Sequence, residues 1–281
     1  MRETAYVVQF PHPGGEHRPK GTAMPWNVDA HQRKFMVAKG QYDDKTGLRE
    51  TGELVFWGEW EGPSRVVKKW PPDWPLPTYL HEPHMGEPPV AGFRQNTDPW
   101  VFGDRFHYSN CKQLTNKGRS STSMQRLDEG SLILFGSSQK DRFVLDTTLV
   151  VGKRQGAYTA RDYDHLDVSD AFRVATIESM SSADDAITDL ELTLYDGATP
   201  DNRFEGMFSF VPCVPFNVDG PRFARPTIEL PGVINPRSRQ STRGANHPRS
   251  IAEVRECWET VIQQVFEQDL LLATRIELSE A

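Results

Sequence analysis

The chain has 281 residues, 37% hydrophobic and 10% aromatic, with a mean hydropathy of −0.59 and a formal charge of −7. Such a length can bury a sizeable core, and the aromatic share argues against disorder and for large rings filling much of the interior. The acidic balance argues against a sequence-blind grip on a nucleic-acid backbone, and no window approaches the roughly 20 apolar residues of a membrane span.

Three widely spaced cysteines, Cys111, Cys213 and Cys257, argue against a disulfide framework and for a reducing compartment, so a cytoplasmic location is expected. The first ten residues alternate like a strand and are too short and too acidic for a signal peptide. Six of the seven tryptophans and six of the eight histidines lie in residues 1–113, interleaved with polar motifs that a buried core does not need.

In chain order, Val7 to Phe10 reads as the first strand. It runs into Pro11-His12-Pro13-Gly14-Gly15-Glu16-His17, where glycines permit a sharp turn that presents His12, Glu16 and His17. The two histidines do not have the helical spacing of a zinc protease motif. Trp26-Asn27, with His31 and Arg33, forms the next polar motif. Glu53 to Trp60 reads as a strand with Val55, Trp57 and Glu59 on one face and Phe56, Gly58 and Trp60 on the other. Gly58 leaves room there for a planar ligand, or the rings are simple core.

Pro63 to Gly103 is too rich in turn residues for continuous elements and reads as a loop; it carries His81 and His84 around Pro83. The run from Asn96 to Gln113 is the densest polar-aromatic stretch. Asn96, Ser109, Asn110 and Gln113 can read a nucleobase edge, Trp100, Phe106 and Tyr108 can stack on it, and Asp98 adds a carboxylate. A turn that caps its own backbone accounts for part of the same pattern. Cys111 near His107 superficially resembles a nucleophile and base, but sequence proximity does not establish such a pair.

Leu114 to Arg126 reads as a second loop, and Ser131 to Phe135 and Arg142 to Val151 as strands. The second of these places Phe143, Leu145, Thr147, Leu149 and Val151 on one face and Val144, Asp146 and Val150 on the other, so it is expected to be central. A short helix is expected after Asp167 or Ser169, burying Ala171, Val174 and Ile177. Asp189 to Tyr195 and Phe204 to Val211 read as strands. Gly220 to Pro248 reads as a loop, and six arginines lie from Arg222 to Arg249, of which Arg222, Arg225, Arg237 and Arg239 are candidate phosphate contacts; a solvated loop is the plainer reading. Ser250-Ile251-Ala252-Glu253 is a capping box that opens a helix with an apolar face of Ile251, Val254, Trp258, Val261, Val265 and Leu272.

These elements predict an α+β fold: a mixed, strongly twisted sheet or small β-barrel, with flanking helices, long ordered loops and a docked C-terminal helix. A single domain over 1–281 is expected, divided into a site-forming part (1–113), a sheet core with basic loop (127–248) and the C-terminal helix (249–275). Gly130-Ser131-Leu132-Ile133-Leu134-Phe135-Gly136, the strand Arg142 to Val151 and Phe56-Trp57-Gly58-Glu59-Trp60-Glu61 resemble the PUA-like superfamily of EVE, ASCH and YTH domains. The resemblance covers about the middle half of the chain. It implies a small twisted barrel flanked by helices and recognition of a modified base in an aromatic cage; some bacterial members are associated with nucleotide modification and phage defence.

The leading expectation is therefore a module that binds a nucleobase, nucleotide or modified single-stranded nucleic acid. Its ligand residues are Trp57, Glu59, Trp60, Asn96, Asp98, Trp100, Phe106, Tyr108, Ser109, Asn110 and Gln113. The alternative is a hydrolase or nuclease using some of His12, Glu16, His17, Asp98, Asp104 and His107, and a third reading is an interaction subunit whose aromatics face a protein partner. No cofactor, resident metal or membrane partner is expected in the leading reading, and the hydrolase alternative works with or without a divalent metal.

Overall fold

A computed structural model describes residues 4–71, 77–89, 94–115, 120–181, 189–217, 223–239 and 241–280. The strands are β1 (Thr4–Pro11), β2 (Ala23–Met24), β3 (Arg33–Asp43), β4 (Arg49–Glu59), β5 (Ser64–Lys69), β6 (Tyr79–Pro83), β7 (His107–Tyr108), β8 (Leu132–Gln139), β9 (Arg142–Tyr158), β10 (Leu192–Gly197), β11 (Val211–Pro215), β12 (Pro248–Ser250) and β13 (Leu271–Ile276). Among the described residues, helical segments are a 3-10 turn at Ser123–Arg126, α1 (Asp170–Phe172), which runs through a π-turn at Arg173–Ile177 into α2 (Glu178–Ser181), and α3 (Ile251–Glu267). The fold is mixed α+β and mostly sheet.

One sheet has the order β12-β1-β8-β9-β10-β7, the other β13-β11-β4-β3-β6-β5-β2. In the second, β13 also pairs with β3, so β3, β4, β11 and β13 close into a ring of four strands. In the first, β1 pairs parallel with β8, and β8 turns into β9 through Lys140 and Asp141, both at positive φ (48° and 59°), as a tight hairpin turn of matching twist requires. Phe210 bridges to Thr148 of β9 just before β11 begins, which ties the two sheets together.

The expected alternation of β4 is present. Val55 and Trp57 pack with Phe35 and Val37 in one apolar cluster, and Phe56 and Trp60 with Met36 in the other. The gap at Gly58 is not open to a ligand, because a Cβ there would already meet Met36 Cε at 3.0 Å. In β9 the expected faces hold only on either side of Asp146. Phe135 opposes Thr147 while Gly136 opposes Leu145, so Asp146 is the extra residue of a bulge. The bulge reverses the parity: Phe143 and Leu145 join Val150 in one cluster, whereas Leu149 and Val151 face the other.

Other expectations need correction. The supposed loop Pro63 to Gly103 contains β5 and β6. Phe204 to Val211 is not a strand, since Glu205 and Gly206 at φ 47° and 88° reverse the chain and only Val211 enters β11. The capping box opens α3, with the Ser250 side chain accepting from Glu253 N and the Glu253 carboxylate accepting from Ser250 N. That helix stops at Glu267, however, and Leu272 belongs to β13. Ser169 caps α1, and Ile177 is buried while Ala171 and Val174 are partly so.

Candidate functional site

Where β3 begins and β4 ends, the antiparallel register sets Arg33 opposite Glu59. Both side chains are buried, and an Arg33 terminal nitrogen meets Glu59 Oε2 in an ion pair. Two residues further on lies Glu61, fully buried. Its Oε2 accepts from Asn27 Nδ2 at 2.5 Å and its Oε1 from the Gln32 backbone N–H at 2.8 Å. The proximal oxygens of both carboxylates converge on one imidazole: His31 Nδ1 is 3.1 Å from Glu59 Oε1 and 3.1 Å from Glu61 Oε1. His31 is the solvent-facing member, its side chain 35% exposed, on the exposed loop 28–31.

The electrostatics separate the two carboxyls. Burial alone would raise Glu59, but Arg33 and the His31 hydrogen bond overcome it and hold this group below the ordinary carboxylate range. Burial also raises Glu61; His31 offsets this only partly, the negative charge of Glu59 adds to it, and Glu61 stays above the ordinary range. Burial would lower His31, but hydrogen bonds to Glu59 and Glu61 outweigh it and bring it to about 10. Lys34, buried and donating to Gln32 Oε1 at 3.1 Å, is pushed down to about 8 by burial against the attraction of Glu61 and Glu59.

A second charged group adjoins the first. The bulge aims Asp146 toward Arg225, which donates to Asp146 Oδ1 at 2.8 Å, to Ser137 Oγ at 2.5 Å and to Gly14 O at 3.0 Å. The Arg225 guanidinium also lies 4.3 Å from the Trp57 ring centroid. Gly14 is required by this close approach, since a Cβ would come within 2.8 Å of Ser137 and 3.3 Å of Arg225. Asp146 senses Arg225, Arg33 and Glu59 electrostatically, and His12 senses Arg33, Lys112, His31 and Arg225, so the two groups form one junction. Within it His12 Nε2, Arg33 Nε, Trp57 Nε1 and Asp146 Oδ2 are buried with no hydrogen-bond partner among the described residues. Such atoms are few in a native interior, and their concentration here is unusual.

Of the sequence candidates, His12 is buried against Phe10 and Phe135 with its imidazole pKa depressed by burial, and it belongs to this junction with Trp57 and Glu59. His17 lies beside His81, ring centroids 6.3 Å apart, and burial lowers its pKa. Glu16 is instead a backbone anchor, accepting from Thr78 N and Tyr79 N at the start of β6.

The 96–113 run is largely occupied with itself. Asp98 accepts from Ser109 N, Ser109 Oγ, Asn110 N and Cys111 N, and burial pushes it up to about 6 against those N–H groups. Gln113 bonds Ser109 O and both backbone groups of Thr193. Asn96 is half-buried, and Asn110 Nδ2 is buried without a partner among the described residues. The expected stacking rings lie in the core: Trp60 donates to Pro63 O and packs on Trp100, Trp100 donates to Phe102 O, and Phe106 is buried. Tyr108 donates to Cys111 O and stacks on Tyr195. As placed, none of these four presents an open face. The Cys111 thiol bonds Asp98 and burial raises its pKa, whereas His107 pairs with Asp196 at 2.9 Å, so the two do not form a dyad. Asp104 is exposed and pairs with Arg275, on the rim of a separate concavity of about 520 Å³.

Arg222 lies outside the described residues. Arg225 is not a surface cation, being buried in the junction, whereas Arg237 and Arg239 are exposed. Arg239 and Lys112 line a groove of about 440 Å³ beside Pro11 and Pro13, which flank His12. An adjoining groove of about 540 Å³ that shares Thr242 carries Arg243, His247 and Arg249. Sequence reasoning left His31, Arg33, Glu61 and Asp146 outside the candidate set. The signal for the first three is a His-x-Arg at the start of one strand facing a Glu-x-Glu at the end of its neighbour.

No family model, curated protein or solved structure matches this chain. Among the described residues no helix is long and apolar enough to cross a membrane.

Proposed function

We propose that the chain is a hydrolytic enzyme acting on a phosphate ester, a nucleotide or single-stranded nucleic acid, with acid–base chemistry at His31, Glu59 and Glu61. The observation that carries this reading is the pair of buried carboxyls that each meet one solvent-facing imidazole at 3.1 Å, Glu59 being paired with Arg33 and Glu61 with the neutral amide of Asn27. Environments that drive two neighbouring carboxyls apart equip one to hold a proton and the other to accept one. Glu59, ionised and braced by Arg33, is the base that takes a proton from water; Glu61, with the higher proton affinity, is the acid for the leaving group. Burying this many charges costs stability that an apolar core would not, which favours a chemical role over a structural one.

The phosphate class is supported by the cationic lining of the two grooves, Lys112, Arg239, Arg243 and Arg249, next to the segment that carries His12. The closed ring of β3, β4, β11 and β13 takes in one of the three segments that carry the PUA-like resemblance, the one in β4; the other two form β8 and β9 of the other sheet. A base-binding role without catalysis draws its support from Trp57 Nε1 and Asn110 Nδ2, both buried and without partners among the described residues.

The test is turnover of the purified chain on nucleotides, dinucleotides and short single-stranded oligonucleotides, beside Glu59→Gln, His31→Ala and the distant Asp104→Asn. Hydrolysis lost by at least 100-fold in the first two and kept in the third supports the reading. Absence of turnover on the whole panel, or activity unchanged in Glu59→Gln, ends it.

A further inference from the structure

We infer that His31, Glu59 and Glu61 form a binding site for one divalent cation of the Mn2+ type. The inference rests on the reading above and deepens it by naming the ion held at the same place; with the ion bound, both carboxyls serve as ligands in place of the acid and base roles they have without it. One ligand atom from each residue lies within 4.8 Å of the others, and two of the separations, His31 Nδ1 to each proximal oxygen, are 3.1 Å. Ligands about 2.1 Å from an octahedral cation stand about 3.0 Å apart along an edge, so the two imidazole–carboxylate separations match octahedral edges, and the third is no more than 4.8 Å. One imidazole and two carboxylates is a donor set for Mn2+ or Fe2+ more than for thiolate-seeking ions.

The surroundings are those of a ligand set rather than a chance meeting of charges. Each carboxylate turns one oxygen to the shared point, where Glu61 Oε1 also accepts from Gln32 N and Glu59 Oε1 from Asp98 N, while Arg33 holds Glu59 Oε2 and Asn27 holds Glu61 Oε2. Outer partners of this kind fix ligand orientation. Arg33 Nε, also buried beside Glu59, has no partner among the described residues. An ion that binds displaces the His31 proton; two carboxylates then balance Arg33 and Lys34, so the bound dication leaves the site net positive and able to draw an anionic substrate. Three protein ligands leave three octahedral positions for water and that substrate, and water on the ion is a stronger nucleophile at neutral pH.

Binding can be read without turnover. Mn2+ is titrated into the full-length chain and free ion followed by its electron paramagnetic resonance signal, with Zn2+ and Mg2+ as competitors. The expected result is one ion per chain, lost in His31→Ala, a change in an exposed loop that leaves the fold intact by circular dichroism. Asn27→Ala weakens affinity about 10–100-fold through the misoriented Glu61. Stoichiometric binding by none of the three ions, or His31→Ala binding as tightly as the parent, overturns the inference. In that event the hydrolytic reading stands or falls on the turnover experiment alone.

Discussion

Arg225 lies over the face of Trp57 while its guanidinium bonds the Asp146 carboxylate, so a loop residue, a β4 residue and the β9 bulge are held in one contact. All three are buried. Removing one partner of a buried ion pair strands the other charge in a low-dielectric interior, and Arg225→Met is expected to lower unfolding free energy by about 3–5 kcal/mol. The double variant Arg225→Met with Asp146→Leu should recover much of that loss. Urea denaturation measures both, and strict additivity of the single losses contradicts the pairing.

Trp100 separates a core role from a ligand role. Its indole packs among Trp60, Phe102 and Phe172, and its N–H is satisfied by Phe102 O. Trp100→Ala should cost about 3–5 kcal/mol of stability through cavity formation. Substrate affinity per folded molecule should change less than twofold. A variant of parental stability with weakened affinity refutes this placement.

His81 governs an acid limb of stability. Its ring is buried, Nδ1 is 3.3 Å from Ser64 Oγ, and burial, with Lys34 and His17 adding to it, lowers its pKa to about 3. The folded chain therefore resists protonation that the unfolded chain accepts below about pH 6.5. Stability is full above that value and falls as pH drops from there toward about 3, with His12 acting in the same direction. Thermal unfolding across this window should show a shallower fall in His81→Gln. An unchanged slope removes His81 from the account.

The amino end of α3 tests the capping box directly. Ser250→Ala removes the acceptor for Glu253 N, and a loss of about 1 kcal/mol is expected from chemical denaturation. Glu253→Gln should cost less, because the amide still accepts from Ser250 N.

Local chemistry made some of this legible from residues alone. The two faces of β4 follow from strict alternation, and the start of α3 from a four-residue cap. Strand β3 was missed because it opens with Arg33 and Lys34, charges that sequence logic assigns to a surface but that here are buried beside Glu59 and Glu61. The faces of β9 were half right, since no composition signal announces that Asp146 is an inserted residue. The 96–113 run reads as a ligand site because polar residues that cap their own turn look, in a sequence, like residues awaiting a ligand. Arg33 beside Glu59 and Arg225 over Trp57 are not legible in composition, because they follow from the register of β3 with β4 and from the approach of a distant loop.

The parallel pairing of β1 with β8 carries a consequence for how the chain matures. The strand that delivers His12 is made early, yet one of its two neighbours, β8, emerges far later, and Arg225 later still. During synthesis on the ribosome the first strand must wait unpaired, a high contact order that slows folding. The junction of His12, Arg33, Asp146 and Arg225 can then close only after Arg225 has emerged, so a product that stops before it would carry Asp146 without its buried counter-ion.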